Sequence, residues 1–286
     1  MKLTPLDASF GATVEDLSLA AIAGGDDEAG WQALYDAWIE YGLLIAPAQH
    51  LSRAEQVALA RRFGDLELFA GEEIVALSNV REDGSIREAD GMVEVLKGNM
   101  GWHADSTYMP LQAKGAVFTA EVVPDEGGGT GWADMRAAYD ALDEDTREKV
   151  ESRSAYHSLA YSQAKLGHHH EEGDGYLGYG FEGHDAPLRP LVKVHPVTGR
   201  KSLCIGRHAY GIPGLEPEES ERFLADLVTQ ACQAPRVYEH AWQPGDAVIW
   251  DNRCLLHRGL PWDMTKPRIM WHSRIAGDPA TEMAVA

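Results

Sequence analysis

Short apolar segments bounded by turn residues recur through the middle and end of this 286-residue chain, and they constrain its fold more than any other feature. Such segments are typical of β-strands, which are stable only when several of them pair in a sheet. The pattern predicts a mainly β fold with flanking helices, built around an antiparallel core, in one domain that spans residues 1–286. The predicted strands are Leu43–Ile45, Ile74–Leu77, Val93–Leu96, Lys114–Val123, Leu191–His195, Ser202–Ile205, Ala247–Trp250 and Arg268–Ile275.

Helices are predicted before, within and after the strand-rich region. The segment Asp27–Tyr41 spaces its large apolar side chains along one helix face, and Gly42 follows as a stop. Ser52–Glu55 is a capping-box sequence that begins a helix running to Arg62. The remaining predicted helices are Asp134–Leu142, Glu144–Ser152 and Glu216–Cys232.

Composition and charge argue against several classes of protein. The formal net charge of −20 repels phosphate backbones, so we expect no nucleic-acid partner. No window of about 18 apolar residues is present, so we expect no membrane span. Met1–Phe10 lacks the basic start and apolar run of a signal peptide, and the three cysteines form no C-x-x-C pair. These features predict a cytoplasmic protein with reduced thiols.

A histidine and a carboxylate stand two residues apart in His103-Ala104-Asp105, and on an extended segment such side chains point to the same face. They can bind one cation, for which a third ligand must come from elsewhere. His257, beyond the predicted strand Ala247–Trp250, is the candidate. Two histidines and one carboxylate form the facial triad of non-haem iron(II) oxygenases. Zinc enzymes use similar ligands, and an isolated H-x-D pair also occurs in exposed turns, so these residues alone do not identify the metal.

Arg268 distinguishes among these alternatives. It lies eleven residues after His257, inside the apolar segment Pro267–Trp271. An arginine in an apolar strand is costly to desolvate unless it meets an anion, and its planar guanidinium suits a carboxylate. A metal with open positions and a buried arginine beside it is what a chelating dicarboxylate requires. The alternative interpretation of Arg268 is a structural ion pair.

A set of motifs accompanies these residues: Trp102–Thr107, Gly128–Thr130, His195–Arg200, Trp250–Arg253, His257-Arg258 and Arg268. Together they resemble the family of taurine dioxygenase and 2,4-dichlorophenoxyacetate dioxygenase, which use iron(II) and 2-oxoglutarate. The resemblance covers nearly the whole chain. Within the family the chain is most similar to aryloxyalkanoate dioxygenases of the (S)-dichlorprop type, through Gly98–Trp102, Ser106–Pro110, Leu188–Val194, Ile205–Ala209 and Trp271–Arg274.

The resemblance implies a double-stranded β-helix, or jelly roll, and a role for each matching residue. His103, Asp105 and His257 are expected to bind Fe(II). Arg268 and Thr130 are expected to bind the far carboxylate of 2-oxoglutarate, and O2 is the third reactant. The implied reaction hydroxylates an aryloxyalkanoate, such as 2,4-D or (S)-dichlorprop, at the carbon next to the ether oxygen. A phenol and a 2-oxo acid would be released, together with succinate and CO2.

The substrate carboxylate also needs a cation. Taurine dioxygenase places an arginine four residues past the cofactor arginine, where this chain has His272. The alternative substrate is an alkyl sulfonate or sulfate ester such as taurine, on which the enzyme would perform the same chemistry. The histidine in place of the arginine argues against this alternative. The candidate substrate-binding residues are Arg274, Arg207, Tyr108, Asn99 and His208.

A non-catalytic jelly-roll binding protein is the alternative from another class, and the intact metal and arginine residues argue against it. We expect a small-molecule carboxylate as the binding partner and a homo-oligomeric assembly. The run His168–His170 beside Glu171–Gly175 is interpreted as a solvated loop, and His195 as a structural residue.

Overall fold

The computed structural model describes residues 1–69, 71–168 and 185–285, and within them the chain forms one large β-sheet, three smaller sheets and flanking helices. The strands are β1 (Lys2–Pro5), β2 (Ala12–Glu15), β3 (Leu43–Ala46), β4 (Leu66–Glu67), β5 (Val75–Ser78), β6 (Gly115–Val122), β7 (Thr130–Asp134), β8 (Ser154–His157), β9 (Leu188–Pro190), β10 (Val192–Val194), β11 (Lys201–Leu203), β12 (Ala209–Tyr210), β13 (Val237–His240), β14 (Ala247–Asp251), β15 (Leu255–Gly259) and β16 (Ile269–Ile275). The helices are α1 (Leu19–Gly24), α2 (Glu28–Tyr41), α3 (Arg53–Phe63), α4 (Gly91–Gly98), α5 (Met135–Asp140), α6 (Glu144–Glu151), α7 (Leu159–Ala164), α8 (Pro217–Ala231) and α9 (Pro279–Glu282).

The large sheet has the strand order β1-β2-β3-β14-β6-β16-β4, and β5 also pairs with β16. Neighbouring strands are antiparallel except β2 and β3. β14 lies between β3 and β6, and every residue of it is buried, which explains the apolar run Ala247–Trp250. β16 pairs with β6 on one side and with β4 and β5 on the other, so the segment after Arg268 is an interior strand.

A second antiparallel sheet, β13-β7-β15, packs on the large one. Trp132 of β7 and Leu255 of β15 share a buried apolar cluster with Phe118 and Trp250 of the large sheet. The core that surrounds the candidate site therefore lies between two sheets. One sheet contains the strand that carries His257, and the other contains the strand that follows the candidate cofactor arginine.

The predicted helices and their caps agree with the structure. α2 begins after the N-cap Asp27 and ends at Gly42, and α3 has the predicted capping box of Ser52 and Glu55. Trp38 of α2 packs in a buried cluster with residues of α3, β6 and β14, so these helices cover the outer face of the large sheet. α8 contributes to a separate apolar cluster with β7 and β15, and it covers the second sheet.

The prediction of a strand at Val93–Leu96 is wrong, because these residues lie in helix α4. The Asp90 carboxylate accepts a hydrogen bond from the backbone N–H of Val93 at 3.1 Å and caps the helix. The run Val-Glu-Val-Leu is too short for strand alternation to be told from helical spacing. Val93 and Leu96, three residues apart, are the buried pair, as expected for one helix face.

Short elements complete the described parts of the chain. The sequence patterns did not predict α1, α7 and α9, nor the strands β1, β2, β4, β7, β8, β9, β12, β13 and β15. Within residues 1–69, 71–168 and 185–285, no helix combines the length and apolar character that crossing a bilayer requires.

We expect Asp90→Ala to lower the free energy of unfolding by about 0.5–2 kcal/mol, because α4 loses its N-cap acceptor. Asp90→Asn is the matched control, since the amide oxygen can still cap the helix. The ion pairs of Asp90 with Arg81 and Arg87 are partly exposed and contribute little. Urea unfolding measures both variants, and equal losses would show that the charge of Asp90, rather than the cap, stabilises the helix.

Candidate metal centre and cofactor pocket

His103 and His257 lie opposite each other in an antiparallel bridge. The backbone N–H of His103 donates to the carbonyl oxygen of His257 at 3.0 Å, and the N–H of His257 donates to the carbonyl oxygen of His103 at 2.7 Å. Asp105 follows His103 by two residues, so one short segment carries two of the three predicted ligands. These two hydrogen bonds join parts of the chain that are far apart in sequence.

The three predicted ligands are brought together and buried. Each offers one ligand atom, and these atoms all lie within 4.8 Å of one another. His257 Nε2 is 3.7 Å from Asp105 Oδ1, and the ring centres of His103 and His257 are 4.2 Å apart. A cluster of this size and composition can hold a metal ion at its centre.

Protonation states in the cluster also fit a metal ion. His103 Nδ1 lies 2.7 Å from the carbonyl oxygen of Gly101, to which it donates, so Nε2 keeps its lone pair. Burial lowers the pKa of His103 well below its usual value and that of His257 to about 4, so both rings are neutral at pH 7. Burial alone would raise the pKa of the Asp105 carboxyl, but the positive charge of Arg274 opposes it most strongly, and the pKa lies well below its usual value. Neutral imidazoles and an ionised carboxylate are what a metal ion requires.

The cluster opens onto a pocket between the sheets and helix α4. Apolar walls with a few convergent polar groups are typical of a small-molecule site. The apolar wall consists of Leu77, Leu96, Phe118, Trp250 and Trp262. The polar lining, besides the three predicted ligands, consists of Asn99, Thr130, Arg268, His272 and Arg274.

Arg268 is a buried cation with no counter-charge among the described residues. Its Nε donates to the carbonyl oxygen of Gly128 at 2.8 Å, and its guanidinium lies 5.2 Å from the ring centre of Trp262. No carboxylate of the described residues lies within 4.0 Å, and burial lowers the pKa of Arg268 to about 10. Arg268 therefore has no carboxylate partner for a structural ion pair within residues 1–69, 71–168 and 185–285.

Thr130 lines the same pocket as Arg268. Its Oγ1 accepts a hydrogen bond from Trp242 Nε1 at 2.9 Å, which leaves the hydroxyl proton available for an acceptor in the pocket. Gly128, just before it, has a φ of +66°, and a Cβ there would lie 3.2 Å from Arg268 Cδ. The glycine loop thus permits the close approach of the arginine.

The structure places the five candidate substrate-binding residues in two groups. Asn99, at the end of α4, and Arg274, on β16, line the pocket. The other three lie behind His103: the His208 ring is 5.8 Å from the His103 ring, the Tyr108 ring is 4.8 Å from the His208 ring, and the Arg207 backbone N–H donates to Trp102.

The two candidate arginines differ in how their charge is compensated. Arg274 Nε lies 3.4 Å from Asp105 Oδ1, and its Nη1 lies 3.8 Å from Glu67 Oε1. Arg207 donates to the neutral oxygens of Gln163 and Ser162, and burial lowers the pKa of Arg207 to about 10. Among the described residues Arg207 has no carboxylate within 4.0 Å. The charge of Arg274 is therefore balanced within the protein, whereas the described residues provide no carboxylate for Arg207.

Some pocket residues were missed at the sequence level. Leu96 was assigned to a strand, so its place in the wall could not be predicted, and Trp262 stands in a connection where no pattern marks it. Asn252 belongs to the motif Trp250–Arg253, which signalled the family but gave no role to that residue. Of the run His168–His170, only His168 is described; His169, His170 and residues 171–175 lie outside the described residues.

Comparisons with known proteins agree with this geometry. The model of the family "Taurine catabolism dioxygenase TauD, TfdA family" matches residues 2–274. The chain is 64% identical to (S)-phenoxypropionate/alpha-ketoglutarate-dioxygenase of Sphingobium herbicidovorans, over 99% of this chain and 98% of the relative. It is 37% identical to alpha-ketoglutarate-dependent 2,4-dichlorophenoxyacetate dioxygenase of Cupriavidus pinatubonensis, over 92% and 93%.

A solved structure, that of AAD-2 in complex with Mn(II) and N-oxalylglycine, superposes with a TM-score of 0.86. It is 33% identical and matches 99% of this chain and 100% of its own length. The similarity confirms the predicted fold class, a mainly β jelly roll with flanking helices.

We expect Arg268→Met to change the free energy of unfolding by less than about 1 kcal/mol, or to raise it, when metal and cofactor are absent. Removing an uncompensated buried charge offsets the lost hydrogen bond to Gly128. Arg253→Met is the contrasting control, because Arg253 pairs with buried Asp251 at 2.6 Å and its loss should cost about 3–5 kcal/mol. Urea unfolding measures the free energy of unfolding of both variants. Similar losses in the two would show that Arg268 stabilises the fold as Arg253 does.

Proposed function

The chain belongs to the taurine catabolism dioxygenase TauD, TfdA family, and we propose that it hydroxylates aryloxyalkanoates at the carbon next to the ether oxygen. It is an iron(II)- and 2-oxoglutarate-dependent dioxygenase. The products would be a phenol and a 2-oxo acid, with succinate and CO2. The family match over residues 2–274 supports one catalytic domain.

One observation supports the proposal most strongly. A buried cluster of His103, Asp105 and His257 opens onto an apolar pocket that contains the uncompensated cation of Arg268. This arrangement occurs in a chain 64% and 59% identical to two (S)-phenoxypropionate/alpha-ketoglutarate-dioxygenases. The proposed metal ligands and the proposed cofactor arginine thus line one pocket.

We propose that His103, Asp105 and His257 hold Fe(II). The donor set fits, because the two imidazoles are neutral, the carboxylate is ionised, and the His103 ring is oriented by its hydrogen bond to Gly101. Bound iron would supply the oxygen activation that couples decarboxylation of 2-oxoglutarate to hydroxylation. The residues of this chain position the reactants around it and exclude water.

Arg268 and Thr130 are the proposed site for the distal carboxylate of 2-oxoglutarate. The Nε of Arg268 is occupied by Gly128, which fixes the plane of the guanidinium and leaves the terminal amino groups for an anion. Thr130 can donate its hydroxyl proton to the same carboxylate, since its oxygen already accepts from Trp242. The dicarboxylate N-oxalylglycine in the AAD-2 structure is consistent with such a site.

The apolar wall suits an aromatic ring. Leu77 of β5, Leu96 of α4 and Phe118 of β6 present carbon surface to the pocket. Transfer of a chlorinated ring from water to such a wall is favourable by about 25 cal/mol for each Å² of apolar surface buried. An aryl ether therefore gains binding energy there that a small sulfonate would not.

We propose that Arg207 binds the substrate carboxylate. The described residues give it no anion, and its guanidinium packs against Gly98, beside the pocket residue Asn99. A half-buried cation without a counter-charge is stabilised by a ligand anion. Arg274 is less suited to this task, because Asp105 and Glu67 already lie beside it.

An alkyl sulfonate or sulfate ester is less supported as the substrate. His272, at the position where taurine dioxygenase has an arginine, is buried and stacked on Trp250 with ring centres 5.5 Å apart. Burial lowers the pKa of His272, so it is neutral at pH 7 and offers no positive charge to a sulfonate.

We expect phenol release from (S)-dichlorprop in the presence of iron(II), ascorbate and 2-oxoglutarate, with an equal amount of succinate, and no turnover of taurine. His257→Ala should abolish the reaction, because the cluster loses a metal ligand. A colorimetric phenol assay and succinate quantification provide the measurement. Succinate formed with taurine but not with any aryloxyalkanoate would contradict the proposed substrate class while leaving the dioxygenase chemistry intact.

We expect Arg207→Met to weaken binding of the aryloxyalkanoate by on the order of 2–5 kcal/mol, because a buried charge pair is lost, and to leave the KM for 2-oxoglutarate almost unchanged. Arg274→Met is the matched variant and should instead weaken metal binding, since it removes a partner of Asp105. Steady-state kinetics with each variant separates the roles. A raised aryloxyalkanoate KM in Arg274→Met alone would assign the substrate carboxylate to Arg274.

A further inference from the structure

The two oxygens of the Asp105 carboxylate have different surroundings. Oδ1 lies 3.7 Å from His257 Nε2 and 3.4 Å from Arg274 Nε, so it faces the predicted metal ligands. Oδ2 lies on the other side, 3.2 Å from Asn252 Nδ2 and 3.6 Å from His272 Nε2. The carboxylate is therefore held at Oδ2 by an amide donor, while Oδ1 is presented to the centre of the cluster.

The orientation of the Asn252 amide is set by its neighbours. Its Oδ1 lies 2.9 Å from Trp250 Nε1 and 3.4 Å from the backbone nitrogen of Asp105, and both of these groups are donors. Two donors require the amide oxygen at that place, so Nδ2 must face Asp105. The backbone of Asn252 is itself anchored, because its N–H donates to the Lys114 carbonyl oxygen at 3.0 Å.

The position of Asn252 in the chain gives it this role. It lies in the short connection between β14 and β15. β14 supplies Trp250, whose indole N–H orients the amide, and β15 supplies His257, the proposed third ligand. One continuous segment, which passes from the large sheet to the second sheet, thus carries a proposed metal ligand and the group that orients another.

We propose that Asn252 is a positioning residue for Asp105, which restricts its carboxylate to one-oxygen coordination of the metal. The inference rests on the proposed metal role of His103, Asp105 and His257. An octahedral ion with three protein ligand atoms keeps three positions for the reactants, and a two-oxygen carboxylate would occupy one of them. Asparagine suits the task because it donates a hydrogen bond without adding a charge next to the carboxylate.

The test uses Co(II) as the probe, titrated into the full-length protein without 2-oxoglutarate. We expect Asn252→Ala to weaken Co(II) binding by about 10- to 100-fold, the usual effect of removing a residue that orients a metal ligand. The visible spectrum of bound Co(II), which depends on the number and symmetry of its ligands, should also change. Trp250→Phe keeps the amide but removes the donor that orients it, and we expect a smaller loss in the same direction.

Asn79→Ala is the matched control. Asn79 is also buried and bonded to backbone groups, those of Met264, Lys266 and Arg268, but it does not contact Asp105, and the titration contains no 2-oxoglutarate for Arg268 to bind. We expect it to destabilise the fold without changing the Co(II) affinity or spectrum. His257→Ala, which should abolish Co(II) binding, tests the metal site itself.

Two results would overturn the positioning role. One is an unchanged Co(II) affinity and spectrum in a folded Asn252→Ala protein, or in Trp250→Phe if Asn252→Ala does not fold. The other is an equal loss of affinity in Asn79→Ala, which would show a general effect of destabilisation. Full Co(II) binding by His257→Ala would instead refute the metal site on which the inference rests, and absence of phenol release would affect only the proposed substrate.

Discussion

The buried negative charge of Asp105 is the constraint around which the rest of the site is arranged. A carboxylate removed from water is stable only when donors or cations replace its hydration. Here Arg274, His272 and Asn252 lie within 3.6 Å of its two oxygens. The next residue, Ser106, has a φ of +56° and places its hydroxyl 2.7 and 2.8 Å from the oxygens of Glu67. An unfavourable backbone conformation beside a proposed metal ligand is thus stabilised by a side-chain hydrogen bond.

The arginines at and near the site differ in whether the protein itself supplies a counter-charge. Arg253 pairs with Asp251, and Arg274 lies beside two carboxylates, so both charges are compensated within the protein. Arg268 and Arg207 have only neutral acceptors among the described residues, and burial lowers the pKa of each to about 10. Uncompensated buried charge is costly to the empty protein and favourable to a complex with an anion. Two such arginines match the two carboxylate-bearing molecules of the proposed reaction.

The sequence predicted the parts of the molecule whose signals are local. The capping box at Ser52, the stop at Gly42 and the H-x-D spacing each depend on residues a few positions apart. His257 was predicted as the third ligand from its place after a predicted strand and from the family motifs, since no local rule joins such distant segments. Helix α4 was mistaken for a strand, since four residues do not define a period and the decisive cap at Asp90 was overlooked. The pocket wall, the compensation of Arg274 and the amide contact of Asn252 arise from tertiary packing alone.

The overall charge of the chain and the charge of its candidate anion sites have opposite signs, and both affect how an anionic ligand binds. A net charge of −20 makes the surface repel polyanions. Screening limits that repulsion to about 8–10 Å at physiological ionic strength, so a small anion that reaches the pocket responds mainly to nearby groups. There it meets Arg268 and, behind His103, Arg207, in a setting where low dielectric strengthens each attraction. The depth of the arginines therefore favours small anions, because only a ligand small enough to enter the pocket can leave the repulsive surface and reach them.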